Sequence, residues 1–369
     1  GGLSYSFLVY SEAQLRADWQ AYAQAVAGHR AIVAYAVKAN HNPVLMQRLH
    51  ALGAAATVVS ADELHHARQL GFGAPRLLLH GSGKRTRDLD AALLAEALVS
   101  VDSEFDLEHL AQRATALGRA ARVLLRVNPN IDPKVHPYIC TGLDDSKFGM
   151  SEARVEALRP RLGQLPQLAV SGLHCHLGST LRSAAPVRDA ARLLLPLLAR
   201  LRSDGHPIDT LDLGGGLGID YHHGTAPPEP PLPTPGELLA PLWPLVDELG
   251  VQLWLEPGRS LVGRCGALIG RVIGLKRTPS KRFLVVDASM AQLIRPCLYQ
   301  AYHHIELLEP AAAPAAESDD EPCDIVGPIC ESADFLGLSR RFGTLREGDG
   351  VIIYDAGAYG FAMVSRYNL

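Results

Sequence analysis

The chain has 369 residues, 47% of them hydrophobic and 20% charged, with a net charge of −4. That length and apolar content allow a large core and two domains. The mild acidity gives no electrostatic footprint for a nucleic acid or an anionic membrane as partner.

The cysteines Cys140, Cys175, Cys265, Cys297, Cys323 and Cys330 are scattered, without a CxxC pair. This fits a reducing compartment, the cytoplasm, better than a disulfide framework. No apolar run approaches the roughly 18 residues of a membrane span. The richest, Leu193 to Leu201, is broken by Pro196 and Arg200. The start has no charged region followed by an apolar one, so no signal peptide is expected. Gly1-Gly2 reads as an expression remnant or the cut edge of a longer chain, and the end at Tyr367-Asn368-Leu369 is abrupt.

In chain order, 3–10 could supply a strand to a later β domain. Apolar runs at 31–37, 56–59, 76–79, 97–101, 121–127, 168–174, 209–213 and 251–255 read as buried strands. Helical patterns lie between them at 43–52, 61–70, 104–117, 184–203 and 236–249, and Ser60 to Glu63 fits a capping box. This rhythm predicts a (β/α)8 TIM-like barrel over 25–263, with a doubly wound sheet as the alternative. From 264 the strand-like runs 265–276, 282–287, 324–329 and 350–354 lack clear helices between them. They predict an all-β domain made of 1–24 and 264–369. The stretches 225–235, rich in proline, and 310–322, rich in Ala, Pro and acid, read as solvated loops.

In a barrel, chemistry sits at the C-terminal strand ends. Those ends carry Lys38, His80-Gly81-Ser82-Gly83, His174-Cys175-His176-Leu177-Gly178-Ser179, Asp212 to Gly218, and Glu256-Pro257-Gly258-Arg259. Lys38 closes a buried strand, and burial favours the free amine that Schiff-base chemistry needs. A lysine that merely points to water past a strand end is the bland alternative. The Gly214-Gly215-Gly216 run allows backbone N–H groups to approach an anion, or it is simply a tight turn. Arg259 can add a bidentate contact to a phosphate, or form a surface ion pair. A Schiff-base lysine beside a phosphate cradle suggests pyridoxal phosphate, with Glu256 as the partner of its ring nitrogen and His176 stacked on the ring. The competing use of His174 and His176 is as metal ligands. They share a strand face, but no third ligand has credible spacing, so no metal is expected. Cys330 follows Gly327-Pro328, which points to a turn.

These motifs together resemble the fold-type III pyridoxal-phosphate-dependent decarboxylases, and most closely the diaminopimelate decarboxylase family, over nearly the whole chain. The resemblance rests on Tyr35 to Asn40, on Arg126 to Pro129, on His136 to Gly142, on Ser146 to Gly149 and on the strand-end motifs above. It continues through Arg295-Pro296-Cys297-Leu298-Tyr299, Gly327 to Ser332 and Asp355 to Gly360. It implies an alanine-racemase-like fold and decarboxylation of meso-2,6-diaminopimelate to L-lysine and CO2.

It also implies roles. Lys38 would hold the cofactor covalently. Gly214, Gly215, Gly216 and Arg259 would bind its phosphate, Ser179 and Gly258 would also contact the cofactor, and Tyr359 would bridge cofactor and substrate. Cys330 would donate the proton that replaces CO2. Cys330 and Glu331 would serve the other subunit's site in a homodimer. The substrate's distal ammonium would meet Glu331, and its distal carboxylate Arg295 and Tyr299, with Arg259 assisting. A cation there discriminates against plain diamino acids, because a buried charge left unpaired is costly.

Two departures stand out. Where the family has Gly-Ala-Asp-Val-Val-Ser-Gly-Gly-Glu, this chain has Ala54-Ala55-Ala56-Thr57-Val58-Val59-Ser60-Ala61-Asp62-Glu63, and where it has Cys-Glu-Ser-Gly-Asp, this chain has Cys330-Glu331-Ser332-Ala333-Asp334. The compact body also fits one half of a fused biosynthetic enzyme, joined for example to aspartate kinase. The alternatives are decarboxylation of a D-amino acid, ornithine or carboxynorspermidine, an amino-acid racemase, and a non-catalytic relative.

Overall fold

A computed structural model describes residues 6–132, 146–226, 231–308 and 321–368. The motif from His136 to Gly142, with Cys140, lies outside them, as do 227–230 and most of the acidic loop 310–322. The chain divides into two compact units. One is Asp18–Gly218 with Leu232–Ser260. The other falls within Gly1–Ala17, Ile219–Pro231 and Leu261–Leu369. Segment 219–231, which the sequence boundaries assign to the barrel domain, groups with the second unit.

Strand β1 (Phe7–Tyr10) belongs to the second unit. In the first unit, β2 (Ala31–Ala36), β3 (Ala55–Val58), β4 (Leu77–Leu79), β5 (Leu98–Val101), β6 (Ala121–Arg126), β7 (Leu168–His174), β8 (Thr210–Asp212) and β9 (Gln252–Leu255) pair in parallel and close into a barrel. Closure comes from β2 lying beside β9, with Val33 opposite Leu255. These strands are largely covered on both faces, so each reads as a mainly apolar run. That is why their positions were legible to within a residue or two. Inside, Ala34, Ala55, Leu78, Leu98, Leu124 and Trp254 form one buried cluster.

The helices between the strands are set by local signals. Asn42 caps the helix at Pro43–Ala51 by accepting the Val44 N–H at 2.9 Å. At Ala61–Gln69, Ser60 Oγ accepts the Glu63 N–H at 3.2 Å. The Glu63 carboxylate accepts from Val59 N–H at 2.9 Å, so only half of the expected capping box forms. The stretch 236–249 breaks into Pro235–Leu239 and Trp243–Leu249. Pro241 and Pro244 lack the N–H that a continuous helix would use.

In the second unit the strands are β10 (Gly266–Arg277), β11 (Arg282–Val286), β12 (Ile305–Leu307), β13 (Cys323–Val326), β14 (Phe335–Arg340) and β15 (Gly350–Ile353). They run in the order β12-β15-β10-β11-β13-β14, and β1 pairs with β10. The β11–β13 pairing is parallel and the others are antiparallel. Leu268, Leu284, Ile325, Leu336 and Ile353 lie in its core. Among the described residues, no helix is long and apolar enough to cross a membrane.

Candidate active site

Side chains along a strand alternate between faces, so the residue two positions beyond an inward one also points inward. Two beyond Ala55, Leu78, Leu98, Leu124 and Trp254 come Thr57, His80, Ser100, Arg126 and Glu256. The strand ends of β7 and β8 add His174 and Asp212. All of these are at most 9% exposed. A polar layer thus sits directly on the apolar plug, at the C-terminal ends of the strands. Two beyond buried Ala36, Lys38 lies in the turn Val37–Ala39.

Glu256 is the centre of that layer. Its Oε1 accepts from Thr57 Oγ1 at 2.8 Å and from His80 Nε2 at 2.5 Å. Its Oε2 lies 3.7 Å from His174 Nε2. Burial pushes the carboxyl up. The charge of and hydrogen bond from His80 oppose that push, followed by His176 and Thr57, and the net result is below the usual carboxylate range.

Asp212 behaves oppositely. Its Oδ1 accepts the Gly214 N–H at 2.7 Å, while Oδ2 has no hydrogen bond and stands 3.9 Å from His80 Nε2. Burial, then the charge of Glu256, drives it well above the usual range. Of these two carboxyls, Glu256 carries the negative charge.

Burial disfavours the cationic form of the imidazoles. Burial lowers His80 and, further, His174. Their rings meet edge-to-face at 4.3 Å, and His174 Nδ1 lies 2.9 Å from Ser100 Oγ. His176 is pushed down to about 3 by burial, then by the charges of Lys38 and Arg126. Arg126 pairs with Asp102 at 3.1 Å and lies over the Phe148 ring at 4.6 Å.

Lys38 is exposed. The expectation that burial would free its amine is therefore not met. Its placement at the rim, and its charge acting on His174, His176 and Glu63, are what the structure provides.

The glycine run is required by packing. A Cβ on Gly215 would lie 2.1 Å from Glu256 O, and one on Gly216 2.1 Å from Gly178 O. The N–H of Gly214 is taken by Asp212, and that of Gly215 by His176 Nδ1 at 3.3 Å. Only Gly216 keeps its N–H unengaged among the described residues. Arg259, 6% exposed, donates from Nε and Nη2 to Ser179 Oγ, each at 3.1 Å. Gly258 packs on Ala36 and Ala39, and a Cβ there would lie 2.9 Å from that of Ala39.

Sequence reasoning missed Thr57, Ser100 and Arg126 as members of this layer, and placed His80 and Asp212 at strand ends without a role. Period-2 counting from the inward apolar residues would have found Thr57, His80, Ser100 and Arg126. It also found no third metal ligand. In the structure His80, His174, Asp212 and Glu256 place ligand atoms within 4.8 Å of one another, a set able to hold a metal ion, and His176 is not among them.

In the second unit, Arg295 is 5% exposed, lies over the Tyr221 ring at 4.4 Å and reaches His303 Nε2 at 2.6 Å. His303 Nδ1 donates to Tyr354 O at 2.8 Å, which fixes Nε2 as the acceptor for Arg295. Tyr299 is half-buried at the end of the helix Arg295–Tyr299. Cys330 and Glu331 are exposed in the turn between β13 and β14, and Cys330 N–H donates to Asn368 Oδ1 at 2.7 Å. Asp334 ties that turn by accepting from Met290 N–H at 2.6 Å and Ile329 N–H at 2.8 Å. Tyr359 and Asp355 hold positive φ, 60° and 59°, in a tight loop.

The family profile described as "Pyridoxal-dependent decarboxylase, pyridoxal binding domain" matches residues 12–263. "Probable diaminopimelate decarboxylase, chloroplastic" of Oryza sativa subsp. japonica is 43% identical over 364 residues, 98% of this chain and 73% of the rice protein. Diaminopimelate decarboxylase of Aquifex aeolicus is 41% identical over 362 residues, 98% and 83% of the two chains. The crystal structure of diaminopimelate decarboxylase from Helicobacter pylori complexed with L-lysine has a TM-score of 0.92 at 32% identity, covering 99% of this chain and 89% of that one.

A closed parallel barrel with a polar, lysine-rimmed mouth, in one chain with a mixed β sheet, is the fold-type III, alanine-racemase-like arrangement of a pyridoxal 5'-phosphate-dependent lyase. Within that class the chain belongs to the diaminopimelate decarboxylase family.

Proposed function

We infer that the chain removes CO2 from meso-2,6-diaminopimelate to give L-lysine, the last step of lysine biosynthesis. The observation that carries this reading is the barrel mouth. It combines an exposed rim lysine, a glycine turn beside the Arg259–Ser179 pair, and an ionised Glu256. The residues fit pyridoxal 5'-phosphate, because a side chain on Gly215 or Gly216 would collide with backbone and one backbone donor stays open.

When bound, that cofactor supplies an electron sink for the breaking bond between Cα and its carboxylate. Lys38 holds it covalently at its aldehyde carbon. Gly216 N–H, Arg259 and Ser179 bind its phosphate, with Gly214, Gly215 and Gly258 allowing the close approach. Glu256 holds the proton on its ring nitrogen. His176, neutral at working pH, packs on its ring face. Tyr359 orients cofactor and substrate together.

Cys330 delivers a proton to Cα in place of the lost carboxylate. Arg295 is already oriented by His303 and Tyr221, and so is a preset anchor for the distal carboxylate, with Tyr299 and, near the phosphate, Arg259 assisting. Glu331 takes the distal ammonium. We read the working form as a homodimer in which Cys330 and Glu331 of each copy serve the other copy's site. The exposure of both side chains fits that role. The free cysteines among the described residues fit the reducing cytoplasm.

The test is to incubate the cofactor-loaded protein with meso-diaminopimelate and follow lysine and CO2. Stoichiometric lysine and CO2, with little turnover of lysine or ornithine, is expected. Epimerisation without CO2 would make it a racemase instead.

A further inference from the structure

The two oxygens of Glu256 are not equivalent. Oε1 carries two donors, the Thr57 hydroxyl at 2.8 Å and His80 Nε2 at 2.5 Å. Oε2 has no hydrogen bond from any described residue and lies 3.7 Å from His174 Nε2. We propose that Thr57 and His80 are positioning residues that clamp Oε1, leaving Oε2 as the one oxygen able to hold the proton on the cofactor's ring nitrogen.

The inference deepens the reading above and rests on it. Three features of this chain support it. Thr57 stands on β3 and His80 just past β4, so the clamp grips Glu256, at the end of β9, from two other strands of the barrel. Both clamping side chains are buried, Thr57 at 6% and His80 at 5% exposure, so their hydrogen bonds are shielded from water. An ionised carboxylate only accepts, so His80 must present its N–H at Nε2.

The second layer agrees with this assignment. Asp212 Oδ2 lies 3.9 Å from the same nitrogen and is not hydrogen-bonded to it, so it does not take His80 away from Glu256. Ser100 engages His174 through Nδ1, which holds that ring edge-on to His80. A hydroxyl at position 57 can donate to the Glu256 carboxylate. A carboxylate there could not, and would add a second charge.

Freed of these donors, Glu256 becomes more basic and less well aimed, and the ring proton shifts toward it. The test uses full-length protein loaded with pyridoxal phosphate carrying 15N in the ring, observed by NMR. Cofactor affinity is measured alongside, by titrating the stripped protein. Thr57→Val keeps the shape and removes the donor, and Thr57→Ser restores it. The wild type and Thr57→Ser should show a protonated ring nitrogen. In Thr57→Val the resonance should move toward unprotonated pyridine and the affinity should fall about tenfold, the scale of a lost hydrogen bond to a charged group. His80→Leu should shift the resonance in the same direction.

Wild-type resonance and affinity in both Thr57→Val and His80→Leu would overturn the clamp while leaving the cofactor reading intact. Wild-type protein that takes up no cofactor would overturn both. A shift of equal size in Thr57→Ser would make position 57 a packing site only and would refute the donor role.

Discussion

Gly215→Ala is the perturbation whose size follows most directly from the structure. The added Cβ would lie 2.1 Å from Glu256 O and 2.7 Å from Glu256 C, both backbone atoms. Real Cβ contacts stay above 3.0 Å, so the turn and the end of β9 must separate by about 0.9 Å. The contact partner is backbone, so no side-chain rotation relieves it. The displaced segments carry the glycine turn on one side and Glu256 on the other. Overpacking of this kind costs about 1–3 kcal/mol of stability. Misplacing catalytic groups by about 1 Å costs roughly a hundredfold in rate. The assay pairs thermal unfolding of the cofactor-free protein with kcat/KM for the loaded one, and includes a control. Gly274→Ala, in β10, meets no heavy atom within 4 Å and should change neither. If Gly215→Ala kept wild-type turnover and cofactor affinity, the glycine run would not be part of the site, and the reasoning from close backbone approach would be refuted.

Other outcomes follow from the same geometry. Arg295→Ala should lower diaminopimelate kcat/KM by roughly a hundredfold while sparing residual turnover of diamino acids without the distal carboxylate. Equal wild-type activity on lysine would defeat the charge argument. Cys330→Ser should leave cofactor uptake intact and cut kcat by about 10²–10⁴, the scale of general acid catalysis. An unchanged kcat would remove Cys330 from the proton step. Stability should fall with acid. His80, His174 and His176 have folded values below the unfolded 6.5, about 3 for His176, so the unfolded chain binds more protons below pH 6.5. Their contribution is complete above that pH and is lost as it falls toward 3. Asp355, raised to about 6 chiefly by burial, works the other way, its contribution being lost as pH rises through 6. Urea unfolding from pH 8 to 4 reads the balance, and His176→Asn should flatten the acid slope.

The barrel strands were legible because burial on both faces leaves mostly apolar residues between turn signals. The second unit was read less completely, since β12 is three residues long and β14 is partly exposed, so neither gives a strong period. The helix Glu12–Ala25 was missed although Leu15, Trp19 and Tyr22 fall at helical spacing, because polar and small residues fill the rest of it. The strand-end motifs located the site, but which inward strand-end residues meet Glu256 was not readable in sequence. Thr57, His80 and Asp212 come together only when the barrel closes, and hydrogen bonds between distant strand ends leave no local spacing. Position 57, noted only as a departure from the family pattern, turns out to hold a donor to Glu256. The burial argument for Lys38 failed because the chain leaves β2 through a short turn that sets Val37 and Ala39 inside and Lys38 outside.

Reduction of the loaded protein with borohydride, followed by peptide mass spectrometry, probes the covalent attachment on which the catalytic assignment rests. A phosphopyridoxyl group at Lys38, absent in Lys38→Ala together with all turnover, is the predicted result. A label on any other lysine, or undiminished decarboxylation by Lys38→Ala, would contradict it.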